Sequence, residues 1–415
     1  MEERDPVLRN GEDPDFLLEL TSALHSVSVP ADMTTALVAE AGEKLGIEVD
    51  LALQQSFVAA DVKRGGKHEA RVARIGAESH WDLWRTRELL DLARDVGAGR
   101  IGRDRGRDEL KRIQSAPPLY GRPLVLLGYA LYSGAVATRV GGTLIDAGAG
   151  ALVGLLAGAI HYSGKHSRTA DLQQSFLAGF CGSLVALLLG LLLPIHYPEA
   201  LFGGVTLIVP AMVLTIAVHE IAENSLESGV IRLVYGLLRF LMIGFGIGAC
   251  MHLWRLFGPL PVVHPTVGLP VPAVLAVLVV GACGLVFCLQ ARMNQVGWMI
   301  FAVLLAYGTQ ELTRQLFGEP GAPFASAFVV GVAGHLHGRA TGHLPLTMIV
   351  PGLLQLAPGF LGTRAVLELL QGKGGHPATF FDVLLVALQL VTGLLVATLL
   401  FERHHDPARG KPRMP

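Results

Sequence analysis

The stretch Leu207-Ile208-Val209-Pro210-Ala211-Met212-Val213-Leu214 has a near copy at Met348-Ile349-Val350-Pro351-Gly352-Leu353-Leu354. Each places a proline in the middle of an apolar run. A proline inside a helix removes one backbone hydrogen bond and frees a carbonyl. In hydrocarbon that is tolerated only where protein or a wet cavity satisfies the freed group. A second echo links Gln174-Ser175-Phe176-Leu177-Ala178-Gly179 to Ala325-Ser326-Ala327-Phe328-Val329-Val330-Gly331.

Working outward from these echoes, the apolar runs can be counted. A span needs about 20 mostly apolar residues to cross roughly 30 Å of hydrocarbon. Ten such runs follow Pro123, centred near Tyr132, Leu152, Leu184, Met212, Met242, Val277, Leu304, Val329, Leu356 and Leu390. Polar or turn residues separate them, as at Gly141-Gly142, Lys165 to Arg168, Pro194 to Glu199, Glu223 to Gly229 and Pro259 to Pro265. Both echoes are displaced by five spans, an odd number, so the two halves should cross the bilayer in opposite senses. That is a plan of secondary transporters, which keep the solute site near the midplane between the repeats. The expected fold is an α-helical polytopic membrane protein: about ten transmembrane helices in two inverted five-helix repeats, preceded by a small α/β soluble domain. The expected boundaries are 1–118 for that domain, 119–262 and 263–402 for the repeats, and 403–415 for a basic tail.

Composition agrees. Of 415 residues, 51% are hydrophobic and 16% charged, with a mean hydropathy of +0.49; a soluble chain carries nearer a quarter charged residues. Charges are dense from Met1 to Arg122 and sparse from Pro123 to Phe401. Two regimes of composition mean two solvents. The formal net charge of -1 argues against nucleic acid as a partner. Cys181, Cys250, Cys283 and Cys288 lie in apolar runs without metal-ligand spacing and read as packing residues.

Within the first region, Phe16 to Leu45 has helical spacing interrupted at Pro30. Val49 to Val62 then alternates at period two, and His68 to Ile75 does so again across Lys63-Arg64-Gly65-Gly66-Lys67, a hairpin signal. Trp81 to Val96 and Asp108 to Ile113 return to helix, and Pro117-Pro118 ends the domain. Met1 to Phe16 has no apolar core of signal-peptide length, so the domain is expected in the cytosol. With it inside, the cytosolic loops hold Lys165, Arg168, Arg232, Arg292 and Arg339, and the tail adds Arg403, Arg409, Lys411 and Arg413. Outside lie Arg139, Arg255, Arg314, Arg364 and Lys373. This bias predicts a multi-pass protein of the inner (plasma) membrane with both termini cytosolic.

Two broken helices meeting mid-membrane would offer dipole ends and free carbonyls to a zwitterionic solute. The expected substrate-binding set is Pro210 and Thr215 in the first half, with Pro351, Gly352, Gln355, Pro358 and Gly359 in the second. The plain alternative is a structural kink at each proline. After Pro210 come His219, Glu220, Glu223, Asn224 and Glu227, with His219 and Glu223 at i, i+4. A carboxylate beside a histidine can exchange a proton near neutral pH; a solvated helix end is the bland reading. Asp146, early in the second span, needs a partner, for which Arg139 is a candidate. Asp146, His219, Glu220 and Glu223 are therefore the expected proton-coupling residues. Gln310, Glu311 and Arg239 are further polar residues in spans, where helix pairing is the alternative role. His335, His337 and His343 lack a carboxylate or thiolate nearby, so no metal is expected. Neither a P-loop, a nucleophile elbow nor HExxH occurs, so no catalytic residue, cofactor or enzyme activity is expected.

The layout resembles the threonine/serine exporter family. The resemblance runs through FLLELTSALHSVSVPADMTTALVAEAGEKLGIEVDL (16–51) and WDLWRTRELLDLARDVGAGRIGRDRGRDELKRI (81–113). It continues in Gly141-Gly142 with Asp146, in GGVTLIVPAMVLTIAVHEIAENSLESGVIRL (203–233) and in TMIVPGLLQLAPGFLGTRAVLELL (347–370). Two places depart from the family's habit: Ala211 follows the first Pro motif where glycine is usual, and Val27-Ser28-Val29 replaces a usual glycine. The resemblance implies export of threonine or serine driven by the proton motive force, with protons and the lipid bilayer as the other partners. Some relatives are thought to export dicarboxylates such as succinate. A gated channel or sensor is the rival from another class, and association into a homo-oligomer is left open.

Overall fold

A computed structural model describes residues 12–54, 57–64, 67–74, 82–163, 168–222, 225–262, 268–318, 321–341, 345–356 and 377–402. Apolar residues at helical spacing make α1 (Glu12–Ser26), which buries Phe16, Leu17, Leu20 and Leu24. Its end is a Schellman turn: the Ser28 N–H donates to the His25 carbonyl (3.0 Å) and the Val29 N–H to that of Leu24 (3.3 Å). Ser28 takes the left-handed position of that turn, at φ 62°. Pro30, with its fixed φ, then starts α2 (Ala31–Lys44).

Three strands follow where two were expected. The run from Val49 to Val62 divides at Gln54, whose N–H donates to the Phe57 carbonyl (2.9 Å). In the sequence, the polar Gln54-Gln55-Ser56 interrupts the alternation. The result is an antiparallel sheet of β1 (Glu48–Leu53), β2 (Phe57–Arg64) and β3 (Lys67–Arg74) in the order β1-β2-β3. The Arg64–Lys67 register ends the second hairpin's ladder. Helices α3 (Leu83–Gly97) and α4 (Arg103–Ser115) complete the core with Leu89, Leu90, Val96, Leu110 and Ile113.

Beyond α4 the elements among the described residues are helical: α5 (Arg122–Arg139), α6 (Leu144–Ser163), α7 (Arg168–Leu192), α8 (Tyr197–Val205), α9 (Ala211–Ala222), α10 (Leu226–Arg255), α11 (Val271–Cys288), α12 (Val296–Phe317), α13 (Ala322–Thr341), α14 (Leu346–Leu356) and α15 (Pro377–Glu402). Among the described residues, four of these helices are long and apolar enough to cross a membrane: 144–163, 169–192, 226–255 and 271–288. Large apolar residues on them, such as Leu152, Leu188, Val234, Phe245 and Val280, face outward, as a lipid solvent allows and water does not. The chain is a helical membrane protein with a small three-stranded sheet.

The N-terminal region of α1–α4 and the sheet, expected from the sequence to be a soluble domain, is fastened to one end of the helices. The α3 N–H of Leu83 donates to the carbonyl of Leu289, the C-cap of α11 (2.9 Å). One helix's unsatisfied first-turn donor thus meets another's unsatisfied last-turn acceptor. Asp82 caps α3 by accepting from the Arg85 N–H (2.8 Å). Burial pushes its carboxyl above the ordinary carboxylate range. Arg292 donates to Glu88 (2.9 Å). The Tyr120 hydroxyl donates to the Ala291 carbonyl (2.8 Å), and its N–H to Gln290 (2.9 Å). On the far edge, Gln54 donates to Glu227 at the start of α10 (2.7 Å).

Candidate functional site

At this junction lies a cavity of about 560 Å³. Its membrane side is built by α9, α14, α13 and α15, and its other side by the α1–α2 elbow and α3. Pro210 shapes the first of these walls. The expected fourth span is two helices, α8 and α9, with the chain unwound over Thr206 to Pro210. Pro210 is buried there, and its carbonyl accepts from the Leu214 N–H (3.0 Å). The break sets α9 so that Thr215 and His219, one turn apart, both line the cavity.

Pro351 behaves differently. It sits inside α14, which continues unbroken from Leu346 to Leu356. The expected second break is therefore not at Pro351; Pro358 and Gly359 lie outside the described residues. α14 is buried on most of its circumference, and Leu346, Ile349, Val350 and Leu353 face the cavity. Gly352 lies on another face, where an added Cβ would stand 2.5 Å from Val330 Cγ1 of α13. Its place is that of a packing residue. Gln355, fully buried one turn beyond Pro351, has neither amide atom bonded among the described residues.

The proton-coupling candidates separate. Asp146 is fully buried at the end away from the soluble domain. It accepts from the Thr143 N–H (2.6 Å) and hydroxyl (2.8 Å), and from the His196 N–H (2.6 Å), with His196 Nδ1 at 3.2 Å. It therefore caps α6 and ties it to the start of α8. The expected partner Arg139 instead donates to Gln310 on α12 (3.0 Å). Glu220 and Arg232 are both fully buried and form a two-pronged pair: Nε donates to Oε2 (3.0 Å) and Nη2 to Oε1 (3.2 Å), while the Ser228 hydroxyl adds a bond to Oε2 (3.1 Å). This is no solvated helix end. Glu223 lies outside the described residues, and His219 is half-buried at the cavity wall.

Other polar residues within the helices hold neighbours together. Tyr235 donates to Asp171 (2.9 Å) between α10 and α7, and Arg239 approaches Ser175 (3.5 Å) in the same pairing. His335 Nδ1 lies 2.8 Å from the Gly331 carbonyl, its ring stacked on Phe401, and His337 lies against Trp298. His343 is outside the described residues. Sequence reasoning missed Arg232 and His196 as partners, and every cavity residue contributed by the soluble domain.

A family model described as "Putative threonine/serine exporter" matches residues 15–254. The chain belongs to this family. The family points to a membrane transporter rather than an enzyme. Beyond it, the chain is similar to pheromone-regulated membrane protein 10 of Saccharomyces cerevisiae S288c, 24% identical over 312 residues, covering 70% of this chain and 78% of that protein. The proteins of the same name from Candida glabrata and Eremothecium gossypii are 24% and 26% identical, and this chain spans 38% and 40% of their lengths. No solved structure matches it.

Proposed function

We propose that this chain is a secondary transporter that exports threonine, serine or a similar small polar amino acid, coupled to the proton motive force. The observation that carries the reading is the cavity beside the break at Pro210, with the Thr215 hydroxyl and His219 imidazole on one face of α9. Its volume of about 560 Å³ admits a small amino acid with water. Asp146 and Glu220 are both buried, with their carboxylate oxygens taken up by hydrogen bonds within the protein, and neither lines the cavity. The coupling role is therefore assigned to His219, the titratable group of that set that faces the cavity.

The same reading takes the helices as ten spans in two inverted halves, in the plasma membrane with both termini cytosolic. Two kinds of packing support it. In the first half Gly246 of α10 lies against the Phe176 carbonyl of α7; in the second Gly393 of α15 lies against that of Phe324 on α13. Phe176 stacks with Phe180, and Phe324 with Phe328. The equivalence pairs Phe176 with Phe324, one turn earlier than the sequence echo. The N-terminal domain, for its part, touches Glu227, Leu289 and Arg292, of which Arg292 is among the residues that the charge bias assigns to the cytosolic side.

The test is counterflow of labelled threonine in proteoliposomes. Threonine and serine should exchange. Thr215→Val should raise KM by about tenfold, the loss of one hydrogen bond. His219→Gln should leave counterflow intact and abolish accumulation driven by a proton gradient. Exchange of labelled succinate alone would move the substrate to organic anions. Gradient-driven uptake that survives His219→Gln but not Asp146→Asn would move coupling to Asp146.

A further inference from the structure

The transport reading leaves one wall of the cavity unused, the wall built by the soluble domain. Two charged residues line it. Asp32, exposed in the first turn of α2, enters no ion pair among the described residues. Arg94, exposed in the last turn of α3, has as its ion pair Asp91 at 3.6 Å. The cavity is otherwise mostly apolar, so one carboxylate and one guanidinium define its charge on this side. Between them and the membrane helices, the elbow places the Ser28 hydroxyl at a left-handed position that glycine would occupy at less cost. The wall is not a loosely tethered body, because Leu83 to Leu289, Arg292 to Glu88 and the Tyr120 bonds fix it to the α11–α12 turn. Its opposite edge is held to α10 by the exposed Gln54–Glu227 bond.

We propose that the soluble domain is part of the solute site, with Arg94 taking the carboxylate and Asp32 the ammonium of an incoming zwitterionic amino acid. The elbow at Ser28 then bounds the space through which the solute passes to Thr215. An opposed charge pair fits a zwitterion, whereas a dicarboxylate meets repulsion from Asp32. The inference deepens the transport reading and rests on it for the identity of the solute.

The experiment uses the full chain in proteoliposomes. Ala36→Cys, on the soluble wall, and Thr398→Cys, on α15, are labelled by an impermeant maleimide from the cytosolic side, with the unmodified protein as the blank for its own cysteines. Threonine should slow labelling at both positions. Asp32→Asn and Arg94→Gln, both surface changes, should each raise the threonine KM by about tenfold while Vmax holds, as loss of a charge-assisted contact requires. Protection at Thr398→Cys alone, or an unchanged KM in both charge variants, overturns the proposal. Absence of counterflow in the unmodified protein, with protection at both cysteines retained, would remove the transport reading and leave the shared wall standing.

Discussion

Glu220→Gln is expected to destabilise the protein by about 3–5 kcal/mol, the usual cost of removing one partner from a buried ion pair. Glu220 and Arg232 are both at 0% exposure. The carboxylate accepts two bonds from the guanidinium and one from Ser228. Glutamine keeps the shape but takes from the buried Arg232 guanidinium the carboxylate it is paired with. The pair also fixes the α9–α10 turn, where the Ser225 N–H donates to the Glu220 carbonyl (2.8 Å), so α9 loses its anchor at the cavity. Thermal melting in detergent and yield in the membrane fraction report the loss. Glu220→Gln with Arg232→Met removes both charges and should recover most of the stability, since an apolar replacement of a buried pair is often neutral. A Glu220→Gln protein that melts like the unmodified one and has lost only proton-driven uptake would make Glu220 the coupling residue and displace His219.

The history of that pair shows what a single sequence can carry. Spacing along one helix placed His219, Glu220 and Glu223 together, but the decisive partner Arg232 lies on the next helix, after the chain has reversed. Asp146 repeats the lesson. Arg139 was the basic residue near it in sequence, yet His196 reaches it because α6 packs on α8. Local physics was legible: the break before Pro30 and the unwinding at Pro210. Strand number was misread because Gln54-Gln55-Ser56 is polar on only three residues inside an otherwise alternating run. The cavity was half legible. Thr215 followed from the Pro210 motif, but a change in composition marks a change of solvent, not which surface of the soluble domain docks. Val27, Val29 and Met33, apolar at an elbow that polar residues would usually occupy, were the available signal.

Gly246→Ala is expected to be the most damaging small substitution in the membrane helices. A Cβ there would stand 2.2 Å from the Phe176 carbonyl oxygen and 2.9 Å from the Phe180 nitrogen. Both are backbone atoms in the middle of α7, so no side chain can swing aside and the two helices must separate. Close backbone approach through small residues is the main source of helix association in lipid, where no hydrophobic drive exists. Overpacking costs of about 1–3 kcal/mol are thus a lower bound here. Gly148, facing outward on α6 with nothing within 4 Å of its added Cβ, is the control. Alanine there should stabilise by about 0.5–1 kcal/mol through helix propensity. The same measurement reaches the architecture. A Cβ added at Gly393 would stand 2.5 Å from the Phe324 carbonyl oxygen by the same device. If α13 and α15 are the counterparts of α7 and α10, Gly393→Ala should lower the melting temperature as much as Gly246→Ala. A tolerated Gly393→Ala beside a lethal Gly246→Ala would mean that the two halves do not share one packing plan, and the inverted-repeat reading would lose its structural support.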